Sequence, residues 1–179
     1  MSSFANFFLG FIAGEGSFQI DVTPKEDRAY NVHVQPSFSV AVYEQEIIEK
    51  IQDEFQFGNI RQLGEEWRFN TKNRQACKEL ISFIEENKTQ WFESTAKHDQ
   101  YAQWRDALHS WNQESEEDMK KIVDVAYSIG KPNQRKRSKE DFYELIQEGG
   151  VYYCLCGDTQ SGEPCERRVK GPNKTCRFH

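Results

Sequence analysis

Phe8-Leu9-Gly10-Phe11-Ile12-Ala13-Gly14-Glu15-Gly16, running on into Ser17-Phe18, decides how the rest of the chain is read. Phe4, Phe7, Phe8, Phe11 and Ile12 recur at three- and four-residue spacing, which predicts a helix over Ser3 to Gly14, capped by Ser2 or Ser3 and ended by Gly16. Gly10 and Gly14 lie four residues apart and so share one face of that helix. With Ala13 beside them no bulky side chain intervenes, and a second helix can approach almost backbone to backbone. Glu15 falls at the helix C-terminus, where the macrodipole disfavours an anion by roughly 0.3–1 kcal/mol. Something must offset that cost.

From Ser17 the period changes to two. Phe18, Ile20 and Val22 face one way while Gln19, Asp21 and Thr23 face the other, the pattern of a half-buried strand. After a turn over Pro24 to Arg28, Tyr30, Val32, Val34, Phe38, Val40 and Val42 alternate with polar residues, so the two segments are expected to pair as a long hairpin. Helical spacing returns from Glu44 to Phe55, with Gly58 beyond its end. A second hairpin is expected from Asn59 to Leu63 and Trp67 to Asn70 around Gly64, followed by a helix over Asn73 to Glu86. Further helices are expected at about Ala96 to Trp111, Glu116 to Ile129 and Ser138 to Gln147. The expected fold class is α+β, in the order αββαββα with extra helices and a small cysteine-rich tail. The segments are 1–111 as a core, 112–150 as a helical extension and 151–179 as the tail, with Gly149-Gly150 as the break.

The 179 residues suffice for one ordinary core and an appendage, and 13% aromatic content offsets a hydrophobic fraction of only 37%. The N-terminal apolar run lacks a charged leader and is followed by Glu15, so neither a signal peptide nor a membrane span is expected, and the location should be intracellular. A net charge of −6 argues against nucleic-acid binding through bulk electrostatics. The distribution qualifies this. Residues 1–112 hold 11 basic and 17 acidic side chains, 113–150 hold 7 and 9, and 151–179 hold 5 and 3. Lys131, Arg135, Lys136, Arg137 and Lys139 form a basic run with no acid among them.

The opening nonapeptide resembles the motif of the LAGLIDADG homing endonucleases, and the two hairpins with alternating helices repeat that family's order across roughly residues 4–111. Ala126-Tyr127 and Arg135-Lys136-Arg137 resemble segments found downstream in many members. The resemblance implies a site-specific endonuclease for double-stranded DNA, dependent on Mg²⁺. Glu15 would bind the metal through its carboxylate and Gly14 through its backbone carbonyl. Glu44 stands where many members have Gln near the active site, and Lys97 with Gln100 resembles the basic group that assists the chemistry. Ala13 replaces the family's first acid, and Glu15 replaces the commoner Asp, one methylene shorter. Since the chain carries one motif, a homodimer is implied, joined through Gly10, Ala13 and Gly14 and acting on a palindromic or nearly palindromic site. Alternatives on the same fold are a non-cleaving DNA-binding regulator and an RNA maturase. Read without the resemblance, Gly14-Glu15-Gly16 is an ordinary helix end and Lys97 a solvated lysine.

In the family the four-stranded sheet forms a saddle whose polar face follows the major groove. Gln19, Asp21, Thr23, Gln35, Ser37, Ser39, Asn59, Arg61, Arg68 and Asn70 are the outward residues expected to serve it, Gln being suited to adenine and Arg to guanine. A water-facing sheet shows the same alternation. In the tail, Cys156, Cys165, Cys176 and His179 make a three-thiolate, one-imidazole set suited to structural Zn²⁺, with Cys154 competing as first ligand. The surrounding Arg167, Arg168, Lys170 and Lys174 could add DNA contacts. Cys77, among apolar helix residues, reads as a buried hydrophobe.

Overall fold

In the computed structural model, residues 2–26, 28–130, 136–150, 152–153 and 168–169 are described. The elements are α1 (Ser3–Glu15), β1 (Ser17–Pro24), a 3-10 turn (Ala29–Asn31), β2 (Val32–Val42), α2 (Gln45–Phe55), β3 (Asn59–Leu63) and β4 (Glu66–Thr71). They are followed by α3 (Arg74–Asn87), α4 (Gln90–Glu93), α5 (Ala96–His109), α6 (Glu116–Ile129), α7 (Lys139–Glu148) and the short strands β5 (Tyr152–Tyr153) and β6 (Arg168–Val169). The αββαββα order expected from periodicity is therefore present, and the short helix α4 is an addition to it. The chain divides into two compact units, residues 1–21 with 35–110 and residues 22–34 with 111–179.

In the first unit, Ser2 caps α1 by accepting the Ala5 N–H at 3.0 Å. The helix buries Phe4, Ala5, Phe8, Leu9 and Ile12. Phe8 meets Phe55 of α2 at 4.9 Å and Phe83 of α3 at 5.8 Å, both edge-on, the arrangement aromatic quadrupoles favour. The sheet order is β1-β2-β4-β3. Its core row pairs Val40 with Phe69 and Phe69 with Ile60, so the helices cover one face and leave the other polar. α3 begins one residue later than periodicity suggests because Asn73 is its cap, accepting the N–H groups of Gln75 and Ala76.

The tie between α3 and α5 is electrostatic as well as apolar. Glu85 accepts from Tyr101 at 2.8 Å and Arg105 at 2.9 Å, and Lys88 stands 2.9 Å from its other oxygen. Partial burial alone would raise this carboxyl, but hydrogen bonds from Lys88, Arg105 and Tyr101 outweigh that and hold it at about 2. A carboxyl depressed in the folded state contributes stability that is complete above its ordinary value of 4.5 and is lost as pH falls toward about 2. Denaturant midpoints between those limits are expected to fall with pH more steeply in the parent than in Glu85→Gln; equal slopes would exclude the network as the source.

Gly58 links α2 to β3 with φ +86°, and a Cβ there would lie 2.4 Å from the Phe69 ring. Left-handed backbone and an inflexible buried ring act together, so Gly58→Ala should cost about 2–4 kcal/mol in chemical denaturation. An unchanged midpoint would contradict that packing.

The second unit joins the tip of the first hairpin to α6 and α7. α6 buries Met119, Ile122, Val123, Ala126 and Ile129, and α7 buries Phe142 and Ile146. Ser138 and Asp141 form a reciprocal capping box at the start of α7. Tyr30, which alternation places in the strand, instead occupies the 3-10 turn at φ 59° and ψ 22°. Its N–H donates to the Gly150 carbonyl at 3.2 Å and its hydroxyl to the Glu114 carbonyl at 2.9 Å. Gly149 closes against it so tightly that a Cβ would fall 2.4 Å from the Tyr30 Cα. Among the described residues no helix is long and apolar enough to cross a membrane.

Candidate functional site

α1 presents Gly10 and Gly14 on its exposed side, with Ala13 half-buried between them. A Cβ at Gly10 would approach no closer than 3.9 Å to Trp91, and one at Gly14 would meet nothing within 4 Å. Packing among the described residues therefore does not require either glycine, although each costs roughly 0.5–1 kcal/mol of helix stability relative to alanine. Phe7 and Trp91, 38% and 45% exposed, are large apolar side chains left uncovered in this unit. Trp91 belongs to α4, which sequence periodicity does not register because four residues are too few to show a period. The one available signal is Thr89 preceding Gln-Trp-Phe-Glu, an N-cap residue before a single turn.

Gly16 is a different case. Its N–H donates to the Ile12 carbonyl at 3.0 Å, and a Cβ there would sit 2.5 Å from that same oxygen. The helix can stop in this way only with glycine, which fixes Glu15 as its last, exposed residue. Lys97, from the first turn of α5, donates to the Gly16 carbonyl at 2.5 Å and to Gln100 Oε1 at 3.2 Å. An ammonium at the negative end of α1 offsets the cost of Glu15 at that end. Gly14, Glu15, Lys97 and Gln100 are thus brought together at one helix terminus. Glu44 is elsewhere in role: it is the exposed N-cap residue of α2 and makes no side-chain cap bond.

The Glu15 carboxylate and the carbonyls of the last helical turn, Gly14 included, are oxygen donors of the kind a hard divalent cation takes. The set is small. No group of three or more His, Cys, Asp or Glu side chains able to hold a metal occurs among the described residues. A divalent cation that takes six or more oxygens would need others besides Glu15 and these carbonyls.

The polar face of the sheet carries most of the outward residues expected from alternation. Ser39, Asn70 and Asn59 are cross-strand neighbours, as are Ala41, Arg68 and Arg61 in the next row. Gln19 is exposed, and its backbone carbonyl accepts from the buried indole of Trp104 at 3.0 Å, which anchors that part of β1. Gln35 and Asn59 line an open groove of about 620 Å³ with Lys72, Asn73 and Gln75. Thr23 is exposed near the end of β1, in the second unit. Ser37 departs from expectation, being only 9% exposed. Lys72, one residue past the Thr71 that faces Phe38, reaches across from the β4 side of β2 to Asp21 of β1 at 2.6 Å. Asp21 is correspondingly engaged rather than open. Cys154, Cys156, Cys165, Cys176 and His179 lie outside the described residues.

Cys77 is buried and its thiol is pushed up to about 12 by burial, as expected of a structural cysteine.

The LAGLIDADG endonuclease family model matches residues 8–108. A comparison with curated proteins gives no match. Among solved structures, the chain is similar to the archaeal intron-encoded homing endonuclease I-Vdi141I complexed with DNA, at 22% identity and TM-score 0.71, covering 80% of this chain and 94% of that one. It is similar to the homing endonuclease I-TnaI at 18% identity and TM-score 0.67, covering 83% and 99%. It is also similar to the group I intron-encoded homing endonuclease I-CeuI complexed with DNA, at 19% identity and TM-score 0.66, covering 81% and 77%. The matched residues span more than half of the 179 and include the α1 terminus, its lysine and the whole sheet of the first unit, so the chain belongs to the LAGLIDADG endonuclease family.

Proposed function

We propose that this chain is a site-specific endonuclease that cuts double-stranded DNA as a homodimer with Mg²⁺ at Glu15. The observation that carries the reading is an exposed glycine face leading to a single exposed acid, beside which Lys97 is held by the Gly16 carbonyl. Two copies joined through Gly10, Ala13 and Gly14 would bring two Glu15 carboxylates together and supply the second acid that one chain lacks. A twofold dimer would impose a palindromic or nearly palindromic target, cut once on each strand. Solved relatives complexed with DNA support a duplex partner.

Bound Mg²⁺ supplies Lewis-acid stabilisation of phosphoryl oxygens and activation of water. Glu15 would hold it through its carboxylate, and Gly14 through its carbonyl. Lys97 would place its ammonium beside the negative charge that develops on the scissile phosphate, with Gln100 Oε1 fixing its direction. Glu44 would assist from the start of α2. The outward residues of the sheet would read the major groove, and the neutral and arginine rows answer the objection raised by the acidic net charge. On this reading residues 1–111 are the catalytic core, 112–150 its helical extension and 151–179 an appendage. In that appendage Cys156, Cys165, Cys176 and His179 would hold structural Zn²⁺, on donor chemistry and spacing alone, and metal analysis of the purified chain is expected to find one zinc. No zinc, or a disulfide among these thiols, would remove that assignment.

The deciding experiment is selection of cut duplexes from a randomised palindromic pool, with and without Mg²⁺. A defined cut site only when Mg²⁺ is present is the expected result. Tight duplex binding with no scission would make the chain a regulator, and preferential binding of structured intron RNA a maturase.

A further inference from the structure

α5 grips the stretch of backbone that follows Glu15 at two points. Lys97 Nζ donates to the Gly16 carbonyl at 2.5 Å, and the buried indole of Trp104 donates through Nε1 to the Gln19 carbonyl at 3.0 Å. Phe18, between those two carbonyls, is buried and packs against the rings of Tyr101 at 5.3 Å and Trp104 at 5.2 Å. Lys97, Tyr101 and Trp104 stand four and three residues apart and so share one face of the helix. α5 is in turn fixed to α3 through Glu85, which accepts from both Tyr101 and Arg105.

The two bonds are commensurate. Seven residues of helix, from Lys97 to Trp104, rise about 10.5 Å, and three residues of extended chain, from Gly16 to Gln19, advance about 10 Å. Helix and strand are thereby held in one register. The packing of Phe18 on the α5 rings resists separation, but apolar contact is non-directional and does not set where the helix stands along the strand. A hydrogen bond from a rigid, buried ring does. Lysine, on a flexible four-carbon stem, cannot fix its own position in this way. We propose that Trp104 is a positioning residue for the cleavage reaction: its indole N–H sets the place of α5 along β1, and so the place of the Lys97 ammonium at the Glu15 end of α1. The inference rests on the cutting function and the Lys97 role proposed above. Trp104 is 0% exposed, so it acts through Lys97 and not on the substrate.

The test is single-turnover cleavage of a selected duplex at saturating protein, expressed per folded molecule, for the parent, Trp104→Phe, Lys97→Met and the double variant. Trp104→Phe keeps a buried ring and loses the N–H. It is expected to bind duplex as the parent does and to cut about ten- to a hundredfold more slowly, the scale of a misplacement of about 1 Å in an active site. In the Lys97→Met background the same change should cost less than about twofold, because the group it positions is gone. Tyr101→Phe also removes a buried hydrogen bond from α5 but touches neither carbonyl, so it should lower the denaturation midpoint and leave the rate per folded molecule unchanged. If Trp104→Phe does not fold, replacing Trp104 with benzothienylalanine, which keeps the ring outline and has sulfur in place of the N–H, serves the same comparison. A full rate in the folded variant, or equal losses with and without Lys97, would overturn the proposal. A parent that cuts nothing would overturn the proposed function, and Lys97→Met cutting at the parent rate would overturn the role of Lys97, and this proposal would fall with either. Both of those arms leave Trp104 in place, so the failures are distinguishable.

Discussion

Glu15→Gln is expected to bind its target duplex as the parent does and to leave both strands uncut. The change keeps the shape of the side chain and the glycine-fixed end of α1, where the Gly16 N–H closes on the Ile12 carbonyl. It removes the one acid that a chain offers at this point. Losing a metal-binding charge forfeits several kcal/mol of charge stabilisation, so the cleavage rate should fall by about 1,000-fold or more. A second readout separates chemistry from folding. An anion at a helix C-terminus is disfavoured by roughly 0.3–1 kcal/mol, so the neutral variant should be as stable as the parent or slightly more so. Appreciable Mg²⁺-dependent scission by a folded Glu15→Gln chain would remove Glu15 from the reaction.

Gly14→Leu is expected to separate the subunits without harming the subunit. Among the described residues a Cβ at this position meets nothing within 4 Å, and leucine suits a helix better than glycine by up to about 1 kcal/mol. The backbone carbonyl assigned to the metal is unchanged by the substitution. A helix approaching from a second copy along this face would meet the new side chain. Sedimentation should therefore report a dimer for the parent and a monomer for the variant, with thermal stability of the isolated subunit preserved and cleavage lower by about 100-fold or more. A variant that stays dimeric, or a monomer that cuts as well as the parent, would place the interface elsewhere. Gly10→Leu is a weaker probe, because its Cβ already sits 3.9 Å from Trp91 and the two effects would mix.

Much of the fold could be read in the residues because its signals are local. The switch from helical to alternating spacing at Gly16, the Gly64 turn between β3 and β4, and the caps at Ser2, Asn73 and Ser138 all act within a few positions of themselves. The site was legible in the same sense as far as Glu15, since Gly16 follows it directly. That Lys97 lies against Gly16 could be inferred only by resemblance, because 81 residues separate them. Alternation gives Ser37 its side of the sheet but not how much of it solvent reaches, which is only 9%. Arg61 and Arg68 looked like two independent polar residues until register set them opposite each other.

The turn at Tyr30 has a consequence for the order in which the molecule is made. Its left-handed backbone is held by the carbonyls of Glu114 and Gly150 and wedged by Gly149, partners that lie 84 to 120 positions downstream. Contacts of such sequence separation close the largest loops and form late. During synthesis the strands on either side can pair as soon as Val42 has emerged, and the local bonds from the Lys25 N–H to the Asn31 carbonyl and from the Asn31 N–H to the Arg28 carbonyl can form with them, but the bonds from Tyr30 to Glu114 and Gly150 must wait until residue 150 is out of the ribosome. The first hairpin is among the earliest parts of the chain to appear and among the last to be finished.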